Sequence, residues 1–402
     1  MVSPPKASQK IGSRALLSVL IGVARVYTAP VDLEAWHRLI EQVAPRVLGR
    51  ADRKGDALAA AVRGLSEVYT RRREALGLAS EAHAARLRFF LPRDLLKVTG
   101  PLAELGAELP RGPTWRVLDV GAGLGTSTLG VAAFAQTHGV ETLHVTALEQ
   151  DAGALDVFAT LAKAAQAAGL VPAIELQPRR VDLTETEIGR LPKVDLIVVG
   201  LALNELFIDL DEAERLDAAE SFLRSLLRRL DDGGTLIVIE PALRATSRSL
   251  QELRNRLGPH VFAPCLREGA CPLMRRKRDW CHAALPIELP KALGQTAKAA
   301  GLRTGRLTFS YLTLRNDGAR LAGHGDPRAL RIVGGPVVSK GKTEWDGCGE
   351  AGLVHLRQLD RERSDVNGAL DGALRGTRVR MSDAPADGSA VRIRPDVAIA
   401  RI

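Results

Sequence analysis

The sequence is poor in cysteine and in aromatic residues. Four cysteines occur among 402 residues, and phenylalanine, tryptophan and tyrosine together account for 4% of the chain. Four cysteines are too few to hold a secreted protein of this size together with disulfide bonds. We therefore expect a reducing compartment, which would be the bacterial cytoplasm or, as the alternative, the mitochondrial matrix.

The sequence also lacks a long hydrophobic run. An apolar stretch at residues 15–26 is interrupted by Gly22 and Arg25, and it is shorter than the roughly 20 residues that span a membrane. We therefore expect no membrane association. Cationic residues precede the first acidic residue, Asp32, so residues 1–30 could be an organellar transit segment. We favour a first helix that continues into the next one.

The size and the charge of the chain indicate how many domains it has and what kind of partner it binds. A chain of 402 residues is long enough for two or three domains, and its 46% hydrophobic residues can supply their cores. The formal net charge is +9 and the isoelectric point is near 9.7. This excess of positive charge favours a polyanionic partner, most often a nucleic acid, although a uniformly basic proteome would give the same balance.

The order of predicted elements divides the chain into four parts. Residues 1–108 are predicted to be helical, because apolar residues recur every three or four positions. Residues 109–316 alternate strand and helix patterns, which predicts an α/β domain with a Rossmann-like, doubly wound and mostly parallel sheet. Residues 317–376 show short strands and glycine turns typical of a small β module. Residues 377–402, rich in Pro, Asp, Gly and Arg, are expected to be a loose tail.

A glycine-rich motif follows the first predicted strand of the α/β domain. It contains Asp119, Gly121, Gly123 and Gly125, and a helix is predicted directly after it. Glycines let the backbone turn tightly and approach a ligand, and the start of the helix supplies free amides. A dinucleotide fingerprint has the spacing G-x-G-x-x-G. This run is G-x-G-x-G with an acid two residues before it, and it resembles motif I of class I S-adenosylmethionine-dependent methyltransferases.

That resemblance implies contacts to the cofactor S-adenosyl-L-methionine. Asp119 would face its methionine end, while the glycines would hold its nucleoside. Glu149 ends the second predicted strand, where the fold places a carboxylate on the ribose hydroxyls, and Asp182 follows the third strand, where the family contacts adenine. Taken without the motif, Glu149 and Asp182 could equally be surface carboxylates at strand ends.

The fourth predicted strand leads into the run Leu203-Asn204-Glu205-Leu206. Enzymes that methylate the amino groups of bases usually carry an Asn/Asp-Pro-Pro-aromatic run here, and methylation of a base carbon needs a cysteine nucleophile at this edge. The chain has neither. Asn204 is a candidate for cofactor or substrate binding, with a role in holding the loop as the alternative. The catalytic residues stay unassigned.

Three of the four cysteines are clustered. Cys265, Cys271 and Cys281 lie in a segment at about residues 261–285, which we interpret as an insertion in the α/β domain, and Cys348 lies in the β module. The spacing C-x5-C-x9-C lacks the C-x2-4-C pair that structural zinc sites favour. Irregularly spaced thiolates fit an iron–sulfur cluster better. Zinc and unconnected buried cysteines are the alternatives.

Several segments resemble a known family, the methyltransferase-like assembly factors of the small ribosomal subunit, which occur in mitochondria and in many bacteria. They span about residues 117–348 and are VLDVGAGLGTS, LNEL, GGTLIVIEP, the APC-x5-CPL block, DWCH, FSYL and SKGK-x5-C. Two positions depart from the family pattern. Ala242 replaces a glycine after Glu240-Pro241, and Ala283-Ala284 follow DWCH in place of Phe-Ser.

The family resemblance implies both a cofactor set and a partner. Cys265, Cys271, Cys281 and Cys348 would be the ligands of a [4Fe-4S] cluster that clamps the β module, and the chain would bind ribosomal RNA during small-subunit assembly. The cationic residues 275–278 would meet RNA phosphates. We expect a monomer off the ribosome. Two alternatives stay open: a binding scaffold of this fold that has lost turnover, and a zinc-containing methyltransferase that acts on another substrate.

Overall fold

The computed structural model of the protein describes residues 31–69 and 80–402. The expectation of a transit segment or a first helix within residues 1–30 concerns residues outside this description.

The amino-terminal part of the described chain is helical. Helix α1 (Leu33–Leu48) begins at Asp32, whose carboxylate accepts the backbone N–H of Ala35 at 2.9 Å. It is followed by α2 (Gly55–Glu67), α3 (Ser80–Ala85), α4 (Leu91–Asp94) and α5 (Leu96–Leu105). Between α3 and α4, Arg86–Phe90 forms a wider π-helical turn, a distortion that is often found at functional sites.

The central domain is built on one mixed sheet. Its strands are β1 (Thr114–Val120), β2 (Thr142–Glu149), β3 (Ala173–Arg180), β4 (Val194–Gly200), β5 (Leu230–Pro241), β6 (Val261–Ala263), β7 (Ala283–Pro286) and β8 (Arg306–Arg315). They lie in the order β3-β2-β1-β4-β5-β8-β6, with β7 also paired to β8. Strands β1 to β5 are parallel, and β8 runs antiparallel to its neighbours. The predicted α/β class with a Rossmann-like sheet is confirmed.

Helices cover both faces of this sheet. They are α6 (Thr126–Gln136), α7 (Ala152–Ala167), α8 (Glu212–Leu227), α9 (Arg244–Arg256) and α10 (Lys291–Ala299). Because neighbouring residues of a strand point to opposite faces, Val117 packs in the core that contains α6 and α7, whereas Leu118 packs in the core that contains α8 and α9. The strand order reverses between β1 and β4, which opens a crevice at their carboxyl ends.

A second sheet forms the carboxyl-terminal part. Its strands are β9 (Ala329–Ser339), β10 (Lys342–Gly349), β11 (Gly352–Leu359), β12 (Arg378–Met381), β13 (Ala386–Asp387), β14 (Ala390–Arg392) and β15 (Ile399–Arg401), in the order β13-β14-β11-β10-β9-β12-β15. The structure therefore differs from the expected loose tail at residues 377–402. Val379, Ile393 and Val397 from this stretch are buried in the core of the sheet, and their burial orders a segment whose polar composition predicts a loop.

A buried ion pair joins the helical part to both sheets. Glu104 of α5 lies 2.8 Å from Arg331 of β9, with side-chain exposures of 2% and 4%, and it accepts the Tyr311 hydroxyl of β8 at 2.6 Å. Removing one partner of such a pair leaves an uncompensated buried charge. None of the helices in the described parts of the chain is long and apolar enough to cross a membrane.

Candidate functional site

A cleft of about 620 Å³ opens at the carboxyl ends of β1, β2 and β4. This is where the strand order reverses, and it is the position at which open α/β sheets bind ligands. One wall is the sheet edge with its loops, and the other is the helical part around residues 86–98. The volume lies within the range of sites for small molecules.

The glycine loop forms the floor of the cleft. Gly121, Gly123 and Gly125 all have positive φ, at 71°, 51° and 80°. A Cβ atom at Gly121 would come within 2.5 Å of the Cβ of Ala202, and one at Gly125 would overlap the ring of Phe158. Gly121 and Gly123 line the cleft, whereas Gly125 precedes α6 and packs against α7. The loop therefore presents bare backbone to any ligand in the cleft.

Asp119 lies beneath the glycine loop and is not among the residues that line the cleft. Its side chain is 1% exposed, and its Oδ2 accepts the Thr128 hydroxyl of α6 at 2.6 Å. Burial raises the pKa of Asp119 to about 6, although the hydrogen bonds from Thr128 oppose the shift. In this arrangement Asp119 holds the start of α6 against β1. Its Oδ1 is buried and has no hydrogen-bond partner among the described residues, and a contact to the methionine end of a cofactor stays a prediction.

Glu149 lines the cleft at the end of β2. Its Oε2 accepts the backbone N–H of Gly123 at 2.8 Å, and its Oε1 accepts those of Gln150 and Asp151 at 2.9 and 3.0 Å. The carboxylate thus ties the glycine loop to the start of α7. Since each carboxylate oxygen can accept two hydrogen bonds, Oε2 keeps one free lone pair for a hydroxyl group in the cleft.

Asp182 also lines the cleft, on the loop after β3. Its Oδ1 accepts the backbone N–H and the hydroxyl of Thr184 at 2.8 and 2.6 Å. These bonds lower the pKa of Asp182 and keep it ionised. The cleft therefore holds two of the three predicted carboxylates, Glu149 and Asp182, at neighbouring strand ends.

Asn204 lies in a strained loop after β4. Leu201 and Phe207 bracket it with φ values of 60° and 57°, and left-handed backbone costs a non-glycine residue about 1–2 kcal/mol. The Oδ1 of Asn204 is buried and has no hydrogen-bond partner among the described residues. Such strain is usually retained where the backbone serves a ligand. Asn204 lines the cleft, and its binding of a cofactor or substrate stays a prediction.

The helical part contributes cleft residues that the sequence analysis missed. Arg86, from the π-helical turn, hydrogen-bonds to Tyr69 and lies near Glu205. Burial opposes the positive charge, but Tyr69, Glu205 and Glu149 outweigh it and raise the pKa of Arg86. A half-buried cation at this wall suits a carboxylate ligand. The π-helical turn was the available signal, but helical periodicity does not reveal it.

A second set of missed residues lies farther along the cleft. Asp94 and Lys97 form an ion pair at 2.8 Å, with side-chain exposures of 6% and 11%. Burial lowers the pKa of Lys97. Close by, burial raises the pKa of Glu240, at the end of β5, to about 8. This part of the cleft is therefore dry and holds ionisable groups whose charges are poorly solvated.

The structure gathers the cysteines beside α9. Gln251 Nε2 donates to Cys271 Sγ at 3.1 Å, and Arg254 Nε donates to Cys265 Sγ at 3.2 Å. The remaining two cysteines, Cys281 and Cys348, pack in the same small apolar cluster as Cys271. Gln251 and Arg254 lie one turn apart on the helix, at a spacing that places both on one face.

The thiols are close enough to influence one another. Burial raises the pKa of Cys348 to about 12, and the nearby Cys265 and Cys271 add to the shift. The pKa of Cys281 is also raised, first by burial and then by the other three cysteines. Across residues 31–69 and 80–402, however, no group of three or more His, Cys, Asp or Glu side chains is arranged as a metal site. The metal centre therefore stays a prediction.

A cationic loop projects beside the cysteines. Arg248 of α9 donates to the carbonyls of Met274, Arg276 and Asp279 at 3.0, 3.2 and 3.1 Å. The guanidinium thereby fixes the loop from below. The outward side chains of the loop, which are exposed, are those of Arg275, Lys277 and Arg278.

The chain has distant similarity to solved methyltransferase structures. A class I S-adenosylmethionine-dependent methyltransferase described from Listeria monocytogenes is 11% identical, with a TM-score of 0.37 over 71% of this chain and 88% of that one. The magnesium protoporphyrin IX methyltransferase of Synechocystis, solved with S-adenosylmethionine, is 14% identical, with a TM-score of 0.29 over 56% and 84%. Because both scores are low, the strand order and not these neighbours carries the fold assignment.

No curated protein sequence matches the chain significantly. The family described as mitochondrial small ribosomal subunit Rsm22 matches residues 81–369. The match covers most of the chain and includes the cleft, α9 and all four cysteines. The chain therefore belongs to the Rsm22 family of the mitochondrial small ribosomal subunit.

Proposed function

We propose that the chain binds S-adenosyl-L-methionine in the cleft. The observation that carries this proposal is the glycine floor, where a side chain at Gly121 would clash with Ala202, next to the carboxylate of Glu149. Bare backbone beside a carboxylate suits a nucleoside with vicinal hydroxyls. When bound, the cofactor would supply an electrophilic methyl group.

The cleft residues have distinct roles in this proposal. Glu149 accepts one ribose hydroxyl while it holds the glycine loop, and Asp182 accepts the adenine amine. Arg86 balances the cofactor carboxylate, because it is a half-buried cation on the opposite wall. Asn204 keeps its unpaired Oδ1 for a substrate group beside the cofactor. Asp119 acts through Thr128 and positions the loop.

We further propose that the cysteines hold a [4Fe-4S] cluster, with zinc as the alternative. Burial and the neighbouring cysteines raise the pKa values of Cys271, Cys281 and Cys348. The four sulfur atoms would repel one another as thiolates, and a bound metal would remove that repulsion. Gln251 and Arg254 supply hydrogen bonds to two of the sulfur atoms, and such donors stabilise metal-bound thiolates. Because Cys348 lies on β10 and the others lie in the insertion, a shared metal would clamp the two sheets together.

The proposed partner is the RNA of the small ribosomal subunit. Family membership supports the subunit, and the exposed cations Arg275, Lys277 and Arg278 supply phosphate contacts on a loop that Arg248 holds rigid. The chain would act during subunit assembly, as a monomer, in the bacterial cytoplasm or the mitochondrial matrix. A scaffold without turnover remains the second candidate, because no nucleophile or base has been assigned beside Asn204.

Equilibrium binding tests the cofactor assignment. Glu149→Gln should weaken S-adenosylmethionine binding at least tenfold by isothermal titration calorimetry, since it removes a charged acceptor of a ribose hydroxyl. Glu187→Gln is the matched control, because Glu187 is a surface residue that forms an ion pair with Arg190. Equal affinities of both variants and the unmodified chain would reject the site. An assembly defect in cells that appears only with Glu149→Gln would favour a cofactor-dependent role over a scaffold.

A further inference from the structure

The cleft extends well beyond the glycine loop. Its far end is lined by Arg93, Asp94 and Lys97 from the helical part and by Leu302 and Thr308 from the central domain. Thr308 is on β8, which is separated from β1 by β4 and β5. This polar end therefore lies over strands that a cofactor seated at β1 and β2 leaves uncovered, and Lys97 is near Glu240 at the end of β5.

The polar end contains an unsatisfied carboxylate. Asp94 is 7% exposed, and its Oδ2 accepts a hydrogen bond from Lys97 Nζ at 2.8 Å. Its Oδ1 is shielded from solvent and has no hydrogen-bond partner among residues 31–69 and 80–402. Asn204 Oδ1 is in the same condition on the opposite wall. A buried acceptor without a donor is destabilising, and a ligand that brings an N–H group would relieve the cost.

A donor accompanies these two acceptors. Lys97 Nζ can donate three hydrogen bonds and accept none, and one of its donors is taken by Asp94. Phe90 and Leu91 line the adjoining wall and provide an apolar surface for a flat ring. The polar end is thus complementary to a planar group that carries an N–H donor next to an acceptor atom.

We propose that the polar end binds the Watson–Crick edge of an RNA base whose exocyclic amine adjoins an unprotonated ring nitrogen, namely cytosine or adenine, and that Asp94 is its specificity-determining residue. The inference rests on the proposed function, in that the chain must bind RNA. The amine donates to Asp94 Oδ1 and Asn204 Oδ1, and the neighbouring ring nitrogen accepts from Lys97. Uracil presents a carbonyl oxygen where the amine would be. That oxygen would face the carboxylate oxygen of Asp94, and two acceptors without a proton between them cannot form a hydrogen bond. Proteins that act on bases read them in this way after taking them out of the stack.

The substitution Asp94→Asn tests this assignment sharply. Lys97 can only donate, so it selects the orientation in which the new amide directs its oxygen to Nζ. The amide nitrogen then lies where Oδ1 lies now, and an acceptor becomes a donor with almost no change of shape. The preference of the site should therefore move from a base with an amine to one with a carbonyl.

The measurement is a competition for the full-length protein between a short oligouridylate and the same oligonucleotide with one central cytidine or adenosine. The unmodified protein should bind an amine-bearing oligonucleotide about tenfold more tightly, and Asp94→Asn should abolish or reverse that preference. Asp317→Asn is the matched control: it also breaks an acid–cation pair, with Arg315, but lies outside the cleft, and it should keep the preference.

Each outcome separates the inference from the proposed function. Equal binding of all oligonucleotides by the unmodified protein overturns the inference alone, and so does an Asp94→Asn variant that is less stable but keeps the preference. Failure to bind any of them overturns the proposed function. If Asp94→Asn does not fold, Asn204→Ala removes the second acceptor, and it should reduce the cytidine or adenosine preference several-fold; an unchanged preference would overturn the inference.

Discussion

Alanine substitutions in the glycine loop separate the cost of a left-handed backbone from the cost of a steric clash, which usually occur together. Gly123 and Gly125 both have positive φ, at 51° and 80°. A Cβ atom at Gly123 would meet no atom within 4 Å, whereas one at Gly125 would overlap the ring of Phe158. Phe158 is 0% exposed and packed in the core, so its ring has no free space to enter.

The expected magnitudes follow from this difference. Gly123→Ala should lower the free energy of unfolding by about 1–2 kcal/mol, which is the cost of left-handed backbone for a residue with a side chain. Gly125→Ala should lose a further 1–3 kcal/mol or so, because it overpacks a filled core. Chemical denaturation followed by circular dichroism measures both values, provided that the two variants unfold in a single transition with an unchanged slope.

A double substitution identifies the cause. Phe158→Ala alone creates a cavity and destabilises the protein, but in the Gly125→Ala background it also removes the clash. The two changes together should therefore cost less than the sum of their separate effects by at least about 1 kcal/mol. Equal losses for Gly123→Ala and Gly125→Ala, or strict additivity in the double variant, would refute the steric account of this loop.

Three further predictions concern charge and metal. Burial raises the pKa of Glu240 from 4.5 in the unfolded chain to about 8 in the folded chain. The unmodified protein should therefore lose stability as the pH rises from 4.5 to 8, and Glu240→Gln should remove this dependence. Parallel pH profiles of the two proteins in denaturation experiments would contradict this prediction. Replacing Lys277 and Arg278 by alanine should reduce the slope of log affinity for single-stranded RNA against log salt concentration by about 1.4, at about 0.7 per lost phosphate contact. Replacing the exposed Arg190 and Lys193 by alanine should leave the slope unchanged. The same slope in both double variants would exclude this loop as an RNA contact. Cys348→Ser should lose iron and sulfide after anaerobic purification and unfold at a lower temperature, with Ser382→Ala, directly after β12, as the control. A colourless unmodified protein with stoichiometric zinc would show that the metal is zinc and not an iron–sulfur cluster.

The sequence predicted the central domain well because its signals are local. Most of the parallel strands contain a short apolar run, such as Val194–Gly200, and the glycine motif fixes where the first strand ends. These signals place the ends of β1, β2 and β4 side by side. Glu149, Asp182 and Asn204 line the resulting cleft, and their contacts to a cofactor stay a prediction. Asp119 was harder to place, because a motif gives the spacing of an acid but not whether its side chain points into the cleft or beneath it.

The residues that the sequence could not reveal depend on contacts between distant segments. Arg86 and Asp94 belong to a helical region whose periodicity shows which face is buried, but not that it is buried against a ligand cleft. Gln251 and Arg254 have the ordinary composition of a surface helix, and their sulfur partners are 11 to 20 residues away along the chain. The strands after Thr377 were missed since a few buried aliphatic residues, including Val379 and Ile393, outweigh a polar composition.

A structure of the protein crystallised with S-adenosylmethionine tests the central claim most directly. We predict that the nucleoside lies along Gly121 and Gly123, that a ribose hydroxyl donates to Glu149, and that the carboxylate of the cofactor faces Arg86. Such a complex would leave the polar end around Asp94 open for a base. Cofactor bound elsewhere, or an empty cleft at saturating concentration, would contradict the assignment of this cleft as the cofactor site.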